Sequence, residues 1–409
     1  RYISGNKWHL ISSPVANALS GVFHLSTGQA NIYIREYNPA NNTWSFISNT
    51  STPLSVGKGY GIWADTQTNN TPDPVVSFNG QFNTGSINIP LVPGAWNIIG
   101  NPYPSAIDWD LVNKTPNLLN NGAAYFWKQS LAGGNGAYAM YDGTIATNGA
   151  TNIIPPMQGF FVKANTNSLT FDNTIRLHTT QQLYNKSSNS INDMIRITAS
   201  NGADYTDEAV VLFNNNATNG FDNQLDALKL FSNNTNLPEV YTLADNNSIA
   251  INRFGSYPAA IPMNVRLGVS AHITLTASEF DNFDSNISIK LEDMQTGIIQ
   301  DLRQNPVYSF TANIGENDNR FVLHFAIITG ISENNVVNVS IYSYDKTIYV
   351  NTNEKIKDIS VYNMLGQLIT SVAGNGKSLQ TVNVEHSTAY YLVKVTTDKG
   401  VRTEKVFIK

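Results

Sequence analysis

The stretch Trp96-Asn-Ile-Ile-Gly-Asn-Pro102 is a short apolar run that stops at Gly, Asn and Pro. β-Branched residues such as Ile favour extended strands, whereas Gly, Asn and Pro favour turns. Similar runs recur along the chain, for example Asn31-Ile-Tyr-Ile-Arg-Glu-Tyr37, Ala209-Val-Val-Leu-Phe213 and Ile287-Ser-Ile-Lys-Leu291. Turn residues follow at intervals of roughly 8–12 positions, which is typical of β-sandwiches. We therefore predict an all-β chain of several Ig-like or jelly-roll-like sandwich domains in tandem.

The opening stretch has a counterpart earlier in the chain, which indicates an internal repeat. Trp8-His-Leu-Ile-Ser-Ser-Pro14 matches it, and Gly59-Tyr-Gly-Ile-Trp-Ala64 matches Gly159-Phe-Phe-Val-Lys-Ala164. Each copy carries an aromatic strand between these two segments. Two copies are too few for a solenoid. We predict two similar β-units, either separate or packed as one double domain.

Polar stretches divide the remaining chain. Residues 181–190 and 330–335 are polar and lie between apolar runs, as linkers do. The predicted divisions are 1–88 (first β-unit), 89–180 (second β-unit), 191–328 (a further β-sandwich), 329–335 (linker) and 336–409 (a final Ig-like module of about seven strands). The final module has nine Lys and Arg against six Asp and Glu, a net charge of +3 that leaves −8 upstream.

Composition excludes several classes of function. Only 13% of the 409 residues are charged, the net charge is −5, and Asn fills roughly one position in eight. Nucleic-acid binding would need a concentrated Lys/Arg face, which the sequence lacks. The absence of cysteine excludes disulfides, thiol nucleophiles and Cys-ligated zinc. The chain opens at Arg1 without Met, and if the protein is exported we expect a signal peptide, with or without larger domains, ahead of this residue.

The final module contains recognisable motifs. Ile359-Ser-Val-Tyr-Asn-Met-Leu-Gly-Gln367, then Tyr391-Leu-Val-Lys-Val395, Gly400 and Lys405-Val-Phe-Ile-Lys409 follow one another in order. Together they resemble the type A C-terminal sorting domain of the type IX (Por) secretion system of Bacteroidetes. Ala389 departs from the family, which usually has Gly there. The residues that carry the resemblance are Tyr362, Asn363, Gly366, Gln367, Tyr391, Val393, Gly400, Lys405 and Lys409.

The resemblance implies a route and a set of partners. It implies export through the periplasm and across the outer membrane by the type IX translocon, with capture by an outer-membrane β-barrel shuttle protein. It also implies cleavage by a sortase-like surface peptidase, which can attach cargo to lipopolysaccharide. We expect cleavage in the polar region around Gly330, Asn335 and Val337, where few backbone hydrogen bonds must break. The terminal strand is the expected contact for the shuttle.

The upstream half also resembles known sequences. Trp96–Trp109 and Pro155–Val162 are similar to segments that often precede such sorting domains in large surface proteins. No activity is established for these segments, so the resemblance implies a stalk or accessory region at the cell surface.

No catalytic motif emerges, and we predict that the chain is not an enzyme. The six His residues form no metalloprotease pair, and no Gly-x-Ser-x-Gly elbow is present. Gly133-Gly-Asn-Gly136 is Gly-rich but fits a hairpin loop better than a phosphate cradle. Asp108, Asp110 and Asp142 are candidates for a glycosidase pair, although turn formation explains them more simply.

Two binding chemistries remain open. Exposed aromatic side chains could stack on sugars, with Trp44, Trp63 and Trp109 as the main candidates, followed by Trp127, Tyr138 and Tyr141. A packing role for the repeated aromatics is favoured over this. No cofactor is predicted, but Ca²⁺ is a further alternative, because hard oxygen ligands cluster at Asp204, Asp207 and Glu208 and at Asp281 and Asp284.

The favoured hypothesis is the C-terminal part of an exported surface protein, in which stalk or adhesion modules precede the sorting module. The alternative is a glycan-binding accessory region of a larger secreted enzyme. A hydrolase within this chain is the weakest hypothesis.

Overall fold

The computed structural model describes residues 2–24, 31–66, 73–177, 193–202, 205–258, 260–314, 319–327, 339–344, 346–376, 379–385 and 388–408. Regular structure in these ranges consists of β-strands and five 3-10 helices of three or four residues. This confirms the all-β prediction. Within the same ranges, no helical segment has the length and apolar character needed to cross a membrane. The chain forms two compact units, Arg1–Ile328 and Thr329–Lys409, called here the N-terminal and C-terminal units.

The two repeat copies lie at the start of the N-terminal unit. The strands of the first copy are β1 (Trp8–Ile11), β2 (Asn31–Asn38), β3 (Thr43–Phe46) and β4 (Tyr60–Asp65). Those of the second region are β5 (Ile87–Pro90), β6 (Trp96–Gly100), β7 (Ala106–Asp108), β8 (Ala124–Lys128), β9 (Ala137–Tyr141), β10 (Ala146–Thr147), β11 (Ile153–Ile154), β12 (Gly159–Lys163), β13 (Ser168–Phe171) and β14 (Arg176–Leu177). The 3-10 helices are Ser20–Phe23, Trp109–Leu111, Asn120–Gly122, Ala132–Gly134 and Asn173–Ile175.

The main sheets of the two copies share one strand order. The first is β1-β4-β2-β3, and the second is β6-β12-β8-β9 with β10 added at its end. Every pair in both sheets is antiparallel. β7, β11 and β14 form a small second sheet, and β5 pairs with β13. The repeat visible in the sequence is therefore a repeat of topology.

Backbone hydrogen bonds join the two copies reciprocally. The Ser12 amide donates to the Met157 carbonyl (3.0 Å), and the equivalent Gly100 amide donates to the Gly57 carbonyl (2.9 Å). The segment before β12 therefore lies against the end of β1, and the segment before β4 lies against the end of β6. Such an arrangement requires close backbone approach, which explains the glycines conserved between the copies at Gly59 and Gly159.

The rest of the N-terminal unit is one eleven-stranded sheet. Its order is β23-β22-β25-β20-β18-β19-β16-β15-β21-β24, with β17 paired to β19. The strands are β15 (Met194–Ser200), β16 (Thr206–Phe213), β17 (Ala227–Leu228), β18 (Glu239–Ala244), β19 (Asn247–Phe254), β20 (Ile261–Arg266), β21 (Ala271–Ser278), β22 (Ile287–Asp293), β23 (Ile298–Asp301), β24 (Val307–Ala312) and β25 (Phe321–Ile327).

This sheet curls so that strands from opposite ends share a core. Phe310 on β24 packs edge-to-face on Phe321 on β25, with ring centroids 4.8 Å apart. Buried Asp293 accepts hydrogen bonds from Arg320 (Nη2, 2.8 Å) and from the Tyr308 hydroxyl (2.8 Å). Burial by itself raises the pKa of Asp293, but these donors outweigh it and hold the pKa below its usual value.

The curled sheet also packs on the second repeat copy. Val210, Leu212 and Ile251 share a buried cluster with Tyr125 and Met140. A buried ion pair joins Arg253 to Asp142 (2.6 Å), so polar groups at this contact are compensated. The predicted boundary between 180 and 191 lies within residues 178–192, outside the described residues.

The C-terminal unit is a small sandwich. Its strands are β26 (Val339–Tyr344), β27 (Thr347–Thr352), β28 (Ile356–Asn363), β29 (Leu368–Ala373), β30 (Leu379–Asn383), β31 (Ala389–Thr397) and β32 (Val401–Ile408). They form a three-stranded sheet, β26-β27-β30, and a four-stranded sheet, β29-β28-β31-β32. Ile348 and Val350 from one sheet and Val361 and Val393 from the other share one core. The predicted seven-stranded module is confirmed for the described part of this unit.

Candidate functional site

An aromatic groove lies where the two repeat copies meet. It has a volume of about 240 Å³. The first copy contributes Trp8, Arg35 and Trp44, the second contributes Trp127, Tyr138 and Phe161, and Asn233 comes from the loop before β18. These seven residues are called the aromatic groove below. Neither copy could form it alone.

Cross-strand pairing positions the rings from the first copy. Trp8 on β1 pairs with Trp63 on β4, and their ring centroids lie 5.5 Å apart. Trp44 on β3 packs edge-to-face on Tyr37 of β2 at 5.3 Å. Gly61 leaves room for this ring, since a Cβ there would lie 2.9 Å from Trp44. Trp44 remains 38% exposed, so part of its surface is open to a ligand.

Cross-strand pairing also fixes the rings from the second copy. Trp127 on β8 and Tyr138 on β9 are paired residues whose rings meet edge-to-face at 5.2 Å. Gly136, with φ +88, lies in the intervening hairpin, and a Cβ there would lie 2.2 Å from the Trp127 ring. The Gly-rich segment 133–136 is thus the hairpin loop predicted from the sequence, and its last glycine makes room for Trp127.

One glutamine links the two halves of the groove. The Gln129 Oε1 atom accepts hydrogen bonds from the Trp8 amide (3.1 Å) and from Trp127 Nε1 (3.0 Å). Phe161 forms the buried floor, in edge-to-face contact with Trp44 at 6.3 Å and with Tyr138 at 6.0 Å. Burial raises the pKa of Tyr138, so its hydroxyl stays neutral at physiological pH.

Arg35 supplies the charge in the groove. Its guanidinium lies over the Trp8 ring (4.8 Å to the centroid) and over the Phe46 ring (4.0 Å). Its Nε is buried and has no hydrogen-bond partner among the described residues. A buried donor without an acceptor is costly.

The three tryptophans predicted to bind glycans have different environments. Trp44 lines the groove and is exposed. Trp63 is half-buried behind Trp8. Trp109 is fully buried, donates its Nε1 hydrogen to the Gly122 carbonyl (2.9 Å) and packs on Phe160. The prediction for Trp109 is therefore wrong, because no sugar can reach a ring inside the core. Trp8 also lines the groove but was not among the residues predicted from the sequence, because its position depends on how the two copies meet.

The candidate acids of the second copy are engaged within the protein. Asp108 accepts hydrogen bonds from the Asp110 amide (3.0 Å) and the Asn152 side chain (2.8 Å). Asp110 accepts one from the Tyr141 hydroxyl (2.8 Å), and Asp142 pairs with Arg253. These contacts are those of turn-forming and structural carboxylates.

The candidate calcium ligands have similar internal partners. Buried Asp207 pairs with Lys229, and Glu208 pairs with Arg196 (2.8 Å). Asp284 accepts a hydrogen bond from the Asn286 amide (2.8 Å) within a turn. Asp204 lies outside the described residues, and the described part of the chain contains no cluster of three or more groups suited to a metal.

Most residues of the sorting motif build the C-terminal unit itself. Tyr391 and Val393 are buried in its core. Asn363 Oδ1 accepts hydrogen bonds from the Leu365 and Gln367 amides (3.0 Å each), which closes the β28–β29 turn with Gly366 at φ +82. In the β31–β32 turn, the Gly400 carbonyl accepts a hydrogen bond from the Thr397 amide (2.8 Å).

Other residues near the motif face solvent. Tyr362 is half-buried at the end of β28, and Leu365 at the tip of the following turn is 86% exposed. Lys405 Nζ lies 4.8 Å from the Tyr390 ring centroid, and Phe407 packs beside the same ring. Lys409 and the expected cleavage region, Gly330, Asn335 and Val337, lie outside the described residues.

Comparison with known proteins gives a family for most of the chain. A family profile described as Domain of unknown function (DUF8693) matches residues 2–325, and a second, Domain of unknown function (DUF8694), matches residues 329–408. The first match covers more than half of the chain, so the chain belongs to the DUF8693 family. No curated protein matches it. A solved structure named "Biofilm associated protein - BSP domain" aligns with 99% of this chain and 91% of its own, at 8% identity and a TM-score of 0.16, a similarity too low to carry an argument.

Proposed function

We propose that this member of the DUF8693 family is the C-terminal part of a surface or secreted protein exported by a type IX secretion system. Residues 336–409 serve as the export signal, and the N-terminal unit is the exported adhesion or stalk region. The observation that carries the proposal is the sorting-type sequence motif, which lies in a separately compact, seven-stranded sandwich. A shuttle that reads a folded module needs such a self-contained unit.

The motif divides into residues that build the module and residues that a partner can reach. Tyr391, Val393 and Asn363 hold the core and the turn. Leu365, Tyr390 and Phe407 are 86%, 51% and 41% exposed and offer apolar surface. Exposed apolar patches of this kind often mark binding sites. The shuttle is therefore proposed to contact the β28–β29 turn and β32.

Deletion of the module tests the export proposal. In a bacterium with a type IX system, the full chain fused to a signal peptide should reach the surface, and the same fusion without residues 336–409 should remain in the periplasm. Surface proteolysis and cell fractionation measure this. A strain without the translocon is the control, and it should retain both proteins. Normal surface export of the truncated protein would contradict the proposal.

A point substitution tests the proposed contact of β32 with the shuttle better than a deletion does. Deleting residues 406–409 also removes Val406 and Ile408, which are core side chains, and would disturb the fold. Phe407→Ser changes an exposed side chain of the same strand and leaves the core intact. Weaker shuttle binding by Phe407→Ser, with unchanged thermal stability, is the expected result. Unchanged binding would remove β32 from the proposed contact.

A second candidate function is glycan binding by the N-terminal unit, and the aromatic groove favours it. Aromatic faces can pack on the C–H faces of sugar rings, and amide groups such as that of Asn233 can hydrogen-bond hydroxyls. Binding of the full chain to polysaccharide gels, lost in Trp44→Ala, would support this function. Equal retention of Trp44→Ala and the unmodified chain would count against it.

A further inference from the structure

We infer that the aromatic groove selects acidic sugars, and that Arg35 recognises the carboxylate of a hexuronate unit in a polysaccharide. This inference rests on the proposed glycan-binding function and adds the chemical class of the ligand. The observations that support it are the state of Arg35, the charge of the groove wall and the arrangement of the rings.

The Arg35 guanidinium is held in place by aromatic rings and forms no ion pair with the described residues. Two rings pack on it, Trp8 at 4.8 Å and Phe46 at 4.0 Å, and so fix its plane. Its buried Nε has no hydrogen-bond partner, and the described residues provide no carboxylate within ion-pair range of it. The nearest acidic neighbour in sequence, Glu36, pairs instead with Lys58 at 2.9 Å. A guanidinium oriented in this way is suited to a carboxylate, which it binds through parallel N–H donors.

The groove wall is complementary to a single negative charge. Among the described residues that line it, Arg35 alone is charged. An anionic ligand would therefore meet one positive group and no repelling carboxylate. The partly buried position of Arg35 also protects such a contact from full screening by salt.

The rings explain why the proposed anion is a sugar acid. Trp8 and Trp44 from one copy and Trp127 and Tyr138 from the other line the groove, so a pyranose ring bound in it would contact aromatic surface from both copies. The exposed Asn233 amide adds a donor and an acceptor for hydroxyl groups. The groove volume of about 240 Å³ lies below the roughly 300–1,000 Å³ typical of enclosed sites for drug-sized ligands. A groove of this volume favours a small unit, such as a sugar ring, over a bulky ligand.

The test compares acidic oligosaccharides with neutral partners of the same backbone. The full chain is titrated with oligomers of galacturonate, glucuronate and mannuronate and with their methyl-esterified forms, and groove tryptophan fluorescence reports binding. At least one acidic oligomer should bind about tenfold or more tightly than its ester. Higher salt should reduce this ratio. Equal binding of acid and ester would overturn the inference but leave glycan binding intact, whereas no binding of any oligomer would overturn both.

Variants separate the role of Arg35 from general damage. Arg35→Gln should lose the preference for the acid while retaining binding of the ester, and Arg35→Lys should retain part of the preference. Lys290→Gln removes the same charge from an exposed strand position outside the groove and should bind as the unmodified chain does. Thermal unfolding checks each variant. A preserved acid preference in Arg35→Gln would overturn the inference, as would binding of polyglutamate as tight as that of the best oligomer.

Discussion

At the scale of single residues, tryptophans that look alike in the sequence have opposite roles. Trp44 and Trp109 both lie beside turn-forming residues, and both were candidates for a sugar contact. The structure leaves Trp44 38% exposed and buries Trp109 completely. Exposure of this kind depends on which neighbouring strands cover a side chain, and sequence spacing does not encode it. The sequence indicates that aromatic side chains are available for binding, but it does not show which of them line the groove.

Substitution of the buried ring should therefore cost far more stability. Trp109→Ala removes a fully buried side chain and its hydrogen bond to Gly122, so we expect a loss of about 3–5 kcal/mol in the free energy of unfolding. Trp44→Ala removes a partly exposed ring that packs on Tyr37 and Phe161, so it should cost less, about 1–2 kcal/mol. Urea unfolding of the full chain measures both. Similar losses for the two variants would contradict these assignments.

The buried carboxyl group of Glu239 should make the stability of the fold depend on pH. Its side chain is buried, and desolvation raises its pKa from 4.5 to about 7, although the Ser232 amide and Lys229 oppose this shift. The folded state therefore binds an extra proton between about pH 4.5 and 7, so its stability should fall as the pH rises through this window. Asp226, with its pKa raised by burial to about 6, acts in the same direction.

Glu239→Gln should remove most of this dependence. The amide is neutral at every pH and still offers an oxygen to the Ser232 amide, which donates to Glu239 at 2.6 Å. Between pH 4.5 and 7 the unmodified chain should lose about 2–3 kcal/mol of stability through this group, and the variant should lose little beyond the contribution of Asp226. Urea unfolding at both pH values measures the difference. Exposed Asp281→Asn is the control, and an unchanged slope in Glu239→Gln would refute the explanation.

At the scale of elements, the sequence predicted strands and turns well because their signals are local. Alternating Val and Ile in β28 and β31, followed by Gly-containing turns, gave the hairpins of the C-terminal unit correctly. The matched segments of the repeat correspond to matched strand orders. The curling of the eleven-stranded sheet was not predictable, because it depends on contacts between strands far apart in sequence, such as Phe310 with Phe321.

Replacing either glycine at the junction between the two copies should destabilise the N-terminal unit. A Cβ at Gly159 would lie 2.9 Å from the Ile11 amide nitrogen, and one at Gly59 would lie 2.8 Å from the Ile99 carbonyl oxygen. Because backbone cannot move aside as a flexible side chain can, Gly159→Ala should destabilise the N-terminal unit by about 1–3 kcal/mol. Gly59→Ala should act similarly. Ser45→Ala, at an exposed strand position, is the control for thermal unfolding. Unchanged stability in both glycine variants would contradict the interlocked arrangement.

At the scale of the whole molecule, the chain forms two compact units, and we propose adhesion for the N-terminal unit and export for the C-terminal unit. The N-terminal unit offers a built groove formed by both repeat copies, whereas the C-terminal unit is a small sandwich with exposed apolar side chains around a sorting-type motif. The change in pattern and charge near residue 336 predicts a separate final module, and the two compact units divide between Ile328 and Thr329. The groove could not be predicted from the sequence, because it forms only where the two folded copies pack together.

Residues 336–409 are proposed to carry sufficient information for export. The most direct measurement grafts these residues onto a periplasmic reporter protein in a bacterium with a type IX system and follows the reporter by surface proteolysis. The graft should reach the surface, and the same graft should stay in the periplasm when the translocon is absent or when Val393→Asp disrupts the core of the module. A reporter that remains in the periplasm with the intact module, although the cell exports its own cargo normally, would contradict the account.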